Sequence, residues 1–301
     1  MPDLRFDDRV AVITGAGGGL GRSYALMLAA RGARVVVNDI GIARDTDDLD
    51  DGPAHAVVDE IRAAGGQAVA DTNNVATPEG GDALVQQCLE QFGRVDVVIN
   101  NAGILRDRAF HNLSAEQVDS VLKVHLYGAF NVTKPAWLAM RRQRYGRVLN
   151  TTSVSGWIGN FGQANYGAAK TGVIVLTKVL AIEGAKYGIQ VNAISPAATT
   201  RMSVDSTRPI NALLNPDLVA PVACWLVHEA CPATGEIFTA MGGRVARLFF
   251  GTTKGYFDPH LTAEGVRDNF DIINDETGYR VPRVMGDELV ELQERAAGSR
   301  T

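Results

Sequence analysis

The feature that most constrains this chain is an alternation. Short apolar runs at residues 10–13, 35–37, 67–70, 95–99, 147–149, 190–194 and 236–239 are separated by stretches of helical periodicity at 21–31, 55–64, 81–92, 115–142, 162–187 and 216–228. The strongest runs are apolar on both faces, which suits strands of a parallel sheet covered by helices on each side. Glycine follows many of the helical stretches, at Gly32, Gly65, Gly93, Gly146 and Gly188, where it is the residue that most easily ends a helix. Such alternation predicts an α/β fold with a doubly wound parallel sheet.

Length and composition narrow the reading. At about 150 residues per domain, 301 residues suggest two domains, yet α/β folds of this size are often one unit. The alternation stops after Gly243, and residues 244–301 mix aromatic side chains with polar turns and one helical stretch at 287–297. The expectation is one domain over 1–243 and an extension over 244–301 packed on the core or on a neighbouring subunit; the extension is too aromatic for disorder. Five aspartates within 44–52 read as a solvated loop. Lys and Arg number 29 against 34 Asp and Glu, so no positive field draws nucleic acid or anionic lipid. No apolar run reaches the ~18 residues a membrane span needs, and neither terminus carries a signal core or a sorting address. Three cysteines without a CxxC pair make neither a disulfide scaffold nor a zinc ribbon. A cytoplasmic, metal-free protein is expected.

The segment Thr14-Gly15-Ala16-Gly17-Gly18-Gly19-Leu20-Gly21 follows the first strand and opens the first helix. Glycines allow a tight turn there and let backbone N–H groups of Gly15, Gly19, Leu20 and Gly21 approach a pyrophosphate at the positive end of the helix. Asp39 ends the next strand. It can accept hydrogen bonds from ribose hydroxyls and would repel a 2′-phosphate, favouring NAD over NADP; the blander reading is a turn acid. Arg22 and Arg44 are nearby cations that oppose that preference.

The T-G-x-x-x-G-x-G spacing, Asn100-Asn101-Ala102-Gly103 after the fourth strand, and Ser153 thirteen residues before a Tyr166-x-x-x-Lys170 pair together resemble the short-chain dehydrogenase/reductase family. The resemblance implies a Rossmann-type fold and hydride exchange with a nicotinamide cofactor. It assigns Tyr166 as general acid/base, Lys170 as its electrostatic partner and a ribose ligand, and Ser153 as the donor to the substrate oxygen. It also places Asn101 at the cofactor, Asn74 and Val75 beside the adenine, and Thr199 and Thr200 among the nicotinamide contacts. Tyr166 and Lys170 share a helix face. An ammonium ~5 Å away at an effective dielectric of ~20 stabilises a phenolate by roughly 3 kcal/mol, about two pKa units. Without the glycine loop the same residues would read as a surface pair and a turn serine.

Two positions depart from the family. His125 stands where an asparagine often supports a water relay to the lysine; histidine can serve that water, relay protons, or be a satisfied core residue. Asn73 stands where an aspartate often binds the adenine amino group, and its amide oxygen can accept instead.

A closer likeness runs through Phe6-Asp7-Asp8-Arg9-Val10, Asn38-Asp39-Ile40-Gly41, Ile104-Leu105-Arg106-Asp107-Arg108 and Gly159-Asn160-Phe161-Gly162-Gln163-Ala164-Asn165-Tyr166. It is to the (3R)-hydroxyacyl-CoA dehydrogenase region of multifunctional enzyme type 2, also called 17β-hydroxysteroid dehydrogenase type 4. It implies NAD-dependent oxidation of (3R)-hydroxyacyl-CoA to 3-ketoacyl-CoA. Alternatives are a 17β-hydroxysteroid or steroid side-chain CoA dehydrogenase and, outside enzymes, an NAD(H)-binding sensor or assembly subunit. Trp157, Ile158, Phe161 and Met202 are candidates for an acyl slot, or are plain packing residues. Arg106, Arg108, Arg141, Arg142 and Arg144 are candidate cations for CoA phosphates, or are simply solvated. The long helices at 118–140 and 162–187 are apolar on more than one face, and the resemblance implies a homodimer or homotetramer built on them.

Overall fold

The structure, a computed structural model, describes residues 3–41, 52–199 and 213–298. The acidic run with Arg44, and Thr200, Arg201 and Met202, lie outside the described residues. The chain falls into two compact units, Met1–Arg247 and Leu248–Thr301.

The first unit carries the strands β1 (Val10–Thr14), β2 (Arg34–Asn38), β3 (Gln67–Asp71), β4 (Val97–Asn100), β5 (Gly146–Thr151), β6 (Ile189–Ala197) and β7 (Ile237–Met241), with β8 (Arg244–Leu248) last. They form one sheet in the order β3-β2-β1-β4-β5-β6-β7-β8, and β1 to β7 pair in parallel. The seven runs read from the sequence are these seven strands. β8 was not read; Gly242 and Gly243, both at positive φ, form the two-residue turn that returns the chain along β7.

Successive strand residues face opposite sides. In β1, Ala11 and Ile13 join one buried cluster while Val10 and Val12 join the other. The helices α1 (Gly19–Ala30), α2 (Gly52–Ala63), α3 (Pro78–Phe92), α4 (Ala115–Leu122), α5 (Gly128–Gln143), α6 (Ala164–Gly184) and α7 (Ala220–Leu226) supply the covers. α1, α2 and α7 pack on the first side, and α3, α5 and α6 on the second. This is the doubly wound sheet the alternation predicts, and the Rossmann-type fold the resemblance implies.

One glycine reading needs correction. Gly146 does not end a helix: Arg144 takes the left-handed position after α5, and Gly146 opens β5. It is glycine because a Cβ there would lie 2.5 Å from Met140 Sδ.

Among its described residues the second unit contains the helices α8 (Ala263–Asp268), α9 (Phe270–Asn274) and α10 (Met285–Gly298). Of these, only α10 shows as helical periodicity in the sequence. Phe249 stacks on Tyr279, with centroids 5.7 Å apart.

Candidate active site

Strand order reverses between β1 and β4, and the loops leaving their C-terminal ends form the crevice where such sheets bind ligands. The glycine loop lies there. Gly21 has no room for a side chain, since a Cβ would sit 2.3 Å from the Gly15 carbonyl oxygen. Gly18 precedes α1 without any side-chain cap, and the first turn carries no acid. The leading N–H groups of α1 are therefore left for a ligand. Asn101 braces the loop: its Nδ2 donates to the carbonyls of Thr14 and Gly15, both at 3.0 Å. The N–H groups of Asn101 and Ala102 both donate to Thr14 Oγ1.

Asp39 follows β2 and faces this loop. Its Oδ2 accepts from Gly17 N at 2.9 Å and its Oδ1 from Gly41 N at 2.8 Å. A carboxylate has about four acceptor positions, so the bracing leaves capacity for a ribose. Arg22, expected to weaken NAD selectivity, is paired in bidentate fashion with Glu60 at 2.6 and 2.7 Å.

At the end of β3 the sequence reading missed Asp71. It is buried and accepts from Asn38 Nδ2 at 2.6 Å and from both the backbone and the amide of Asn73. The Asn73 amide nitrogen is thus committed to Asp71. Asn74 Oδ1 accepts from Ala76 N, and Val75 is buried with its carbonyl accepting from Asn131. Thr199 N donates to the Leu214 carbonyl.

Ser153 leaves β5, while Tyr166 and Lys170 project from the first turns of α6. Ser153 lies close enough to the Tyr166 phenol to pull its pKa down, and Lys170 Nζ is 5.6 Å from the Tyr166 ring centroid. The three predicted catalytic residues are together. Burial pushes the Tyr166 pKa up, Ser153 pulls it down and Asp107 raises it. Burial also lowers Lys170 to about 7; its Nζ donates to the Thr151 carbonyl at 2.6 Å. In the protein alone, then, burial opposes both ionisations.

His125 lies on a π-helical turn, Lys123–Tyr127, between α4 and α5. It is buried, with its ring edge-on to Tyr166 at 5.1 Å. Gly103 leaves space for that ring; a Cβ would come within 2.4 Å of its Cε1. His125 Nε2 lies 2.8 Å from the Ile104 carbonyl oxygen. The Ile104 N–H approaches the same Nε2 at 3.1 Å, so that nitrogen donates to the carbonyl in one tautomer and accepts from the N–H in the other. Burial, then the Lys170 charge, holds its pKa well below the usual histidine value. A cavity of about 10 Å³ lies between His125, Lys170, Asn100 and Thr151, room for one water. His125 Nδ1, Asn100 Oδ1 and Thr151 Oγ1 are buried atoms that no protein group satisfies.

The substrate-side candidates divide. Ile158 and Phe161 are exposed on the segment between β5 and α6 that also carries Ser153, and Arg106 and Arg108 sit on the loop after β4. Arg141, Arg142 and Arg144 do not belong to the site. They end α5 just before β5 begins, so they occupy the opposite edge of the sheet, where Arg141 donates to Tyr187 Oη.

Over residues 9–210 the chain matches the family of short chain dehydrogenases. It belongs to that family. A short-chain type dehydrogenase/reductase of Mycobacterium tuberculosis is 48% identical over 93% of this chain and 98% of its own length. Full-length peroxisomal multifunctional enzyme type 2 from Drosophila melanogaster is similar in structure, at a TM-score of 0.82 and 38% identity, over 97% of this chain and 50% of that one. This chain thus spans about half the length of that relative. A 7α-hydroxysteroid dehydrogenase solved with NADH and 7-oxo glycochenodeoxycholic acid has a TM-score of 0.73 at 28% identity, covering 81% of this chain and 98% of that one. This short-chain dehydrogenase is an oxidoreductase of hydroxyl-bearing carbon. None of its helices, among the described residues, is long and apolar enough to cross a membrane.

Proposed function

We propose that this protein oxidises the 3-hydroxyl of a (3R)-hydroxyacyl-CoA to the 3-ketone with NAD+. The observation that carries the chemistry is the meeting of Ser153, Tyr166 and Lys170 at the sheet's switch point. The likeness to the dehydrogenase region of multifunctional enzyme type 2 supports the substrate class. So do the exposed apolar Ile158 and Phe161, and the arginines Arg106 and Arg108, at the edge of the site.

The glycine cradle, the uncapped start of α1 and Asp39 fit a dinucleotide with free ribose hydroxyls. The bound nicotinamide supplies the hydride acceptor. Ser153 donates to the substrate oxygen, Tyr166 takes the hydroxyl proton, and Lys170 stabilises the phenolate. The small cavity beside Lys170, where His125 Nδ1, Asn100 Oδ1 and Thr151 Oγ1 lack a protein partner, has room for a water that would exchange a proton with the Lys170 amine, with His125 kept neutral by its burial.

A panel of (3R)-hydroxyacyl-CoA, 17β-hydroxysteroid and no substrate, read as NADH formation, tests the assignment. Turnover of the steroid alone supports the second reading. Cofactor binding without turnover supports a sensor.

Cofactor choice rests on Asp39. Asp39→Asn keeps one acceptor for the Gly17 N–H and removes the charge that opposes a 2′-phosphate. The kcat/KM ratio of NADP+ to NAD+ is expected to rise at least about tenfold, equivalent to about 1.4 kcal/mol. An unchanged ratio removes Asp39 from that role.

We also assign a homodimer or homotetramer. Val175, Val179 and Ile182 make an exposed apolar stripe on α6, and Phe130 and Leu138 are exposed on α5. Extension residues Met285, Leu289 and Val290 are exposed too, and we assign residues 244–301 to the interface of a neighbouring subunit. Light scattering at micromolar concentration is expected to give at least a dimer, and monomer alone contradicts it. The buried, unpaired Cys88, Cys224 and Cys231 suit a reducing cytoplasm, the compartment we assign.

A further inference from the structure

Two loops edge the site, one after β4 and one after β5, and a single side chain ties them. Gln163 Oε1 accepts from the Ser155 hydroxyl at 2.6 Å and from Asn160 Nδ2 at 3.1 Å, while its Nε2 donates to Asp107 Oδ2 at 2.7 Å. The Arg108 N–H donates to the Gly162 carbonyl alongside, at 2.9 Å. The line continues inward, because the Ser155 N–H donates to Ser153 Oγ at 3.3 Å. With a lone pair of Ser153 taken by that N–H, its own hydrogen is left to donate. Next to Gln163, the buried Asn165 donates to the carbonyls of Arg106 and Gln117 and accepts from Tyr166 N at 2.8 Å.

We infer that Gln163 is a positioning residue for the reaction: through Ser155 it orients the Ser153 hydroxyl, and through Asp107 it fixes the loop after β4. This rests on the role proposed for Ser153. The tied loops carry Phe161, 89% exposed, and lead into Phe110, 81% exposed. The clasp therefore also sets the apolar edge that an incoming substrate meets.

The bond pattern suggests its own test. Gln163→Leu removes all three bonds at similar size. Gln163→Glu keeps the acceptor for Ser155 and Asn160 but sets a carboxylate against Asp107. The pair Gln163→Glu with Asp107→Asn restores a donor and an acceptor with their directions exchanged. For Gln163→Leu, KM for the hydroxyacyl-CoA is expected to rise about tenfold and kcat to fall about threefold, with NADH affinity unchanged. Gln163→Glu should be at least as impaired, and the pair should return kcat/KM to within about threefold of wild type. A role confined to stability would shift Tm and leave the KM and kcat pattern unmoved.

Amide hydrogen exchange over residues 104–109 and 153–163 supplies an arm that needs no substrate. It should quicken in Gln163→Leu and recover in the pair. Unchanged exchange in Gln163→Leu, or a pair no better than Gln163→Glu, overturns the inference. If wild type turns over no hydroxyacyl-CoA while exchange follows the exchanged pair, the substrate reading fails and the clasp stands.

Discussion

Tyr166→Phe is expected to lower kcat by about 10³-fold and to leave NADH binding unchanged. General acid–base catalysis by a positioned side chain contributes about 10²–10⁴-fold, and no other described group is placed to take the hydroxyl proton. Ser153 is a weak base. His125 is buried with Nε2 against the Ile104 backbone, and burial holds its pKa well below the usual histidine value, so it is a poor base. The substitution removes one hydroxyl and keeps the ring packing against His125, so folding is preserved. A Tyr166→Phe enzyme with wild-type turnover would remove the phenol from the mechanism. Loss of NADH binding would mean that the change had damaged the cofactor site instead.

The second large effect lies at Lys170 and depends on pH. Burial lowers its amine from 10.5 to about 7, whereas the unfolded chain keeps the usual lysine value. Between pH 7 and 10.5 the unfolded state binds more protons, so the stability of the free protein rises with pH across that window. As pH falls from 10.5 to 7 that contribution is lost, and it levels off below 7. Lys170→Met lacks this dependence. Relative to wild type, the variant is expected to gain stability steadily as pH falls through the window, on the order of several kcal/mol in all. At high pH it should be the less stable of the two, because the Thr151 carbonyl loses its donor. Its turnover is expected to fall at least about 10²-fold at every pH. Thermal melts of both proteins from pH 6 to 10 read the difference directly, and parallel curves would show that the lysine is not held in a dry site.

The fold was legible because its signals are local. Strands buried on both faces read as apolar runs, and the loop from Thr14 to Gly21 declares a strand-to-helix turn by its glycines alone. The spacing of Tyr166 and Lys170 carries their shared face in the same way. What escaped depends on contacts between distant segments. Asp71 looks like any strand-end acid until Asn38 and Asn73 close on it. Gln163 has no meaning until Asp107 and Ser155 reach it. His125 could not be placed because its room is made by Gly103, on another loop. Arg141, Arg142 and Arg144 misled because charge can be read from sequence but the sheet edge cannot. β8 did leave a sign, the Gly242-Gly243 pair before Arg244 to Leu248, a two-residue hairpin turn.

The most direct measurement follows a label. With a (3R)-hydroxyacyl-CoA carrying deuterium at C3, the protein is expected to place one deuterium in the reduced NAD for each 3-ketoacyl-CoA formed, and to leave the (3S) isomer untouched. A protein that binds NADH yet forms no labelled cofactor from any hydroxyacyl-CoA would contradict the account.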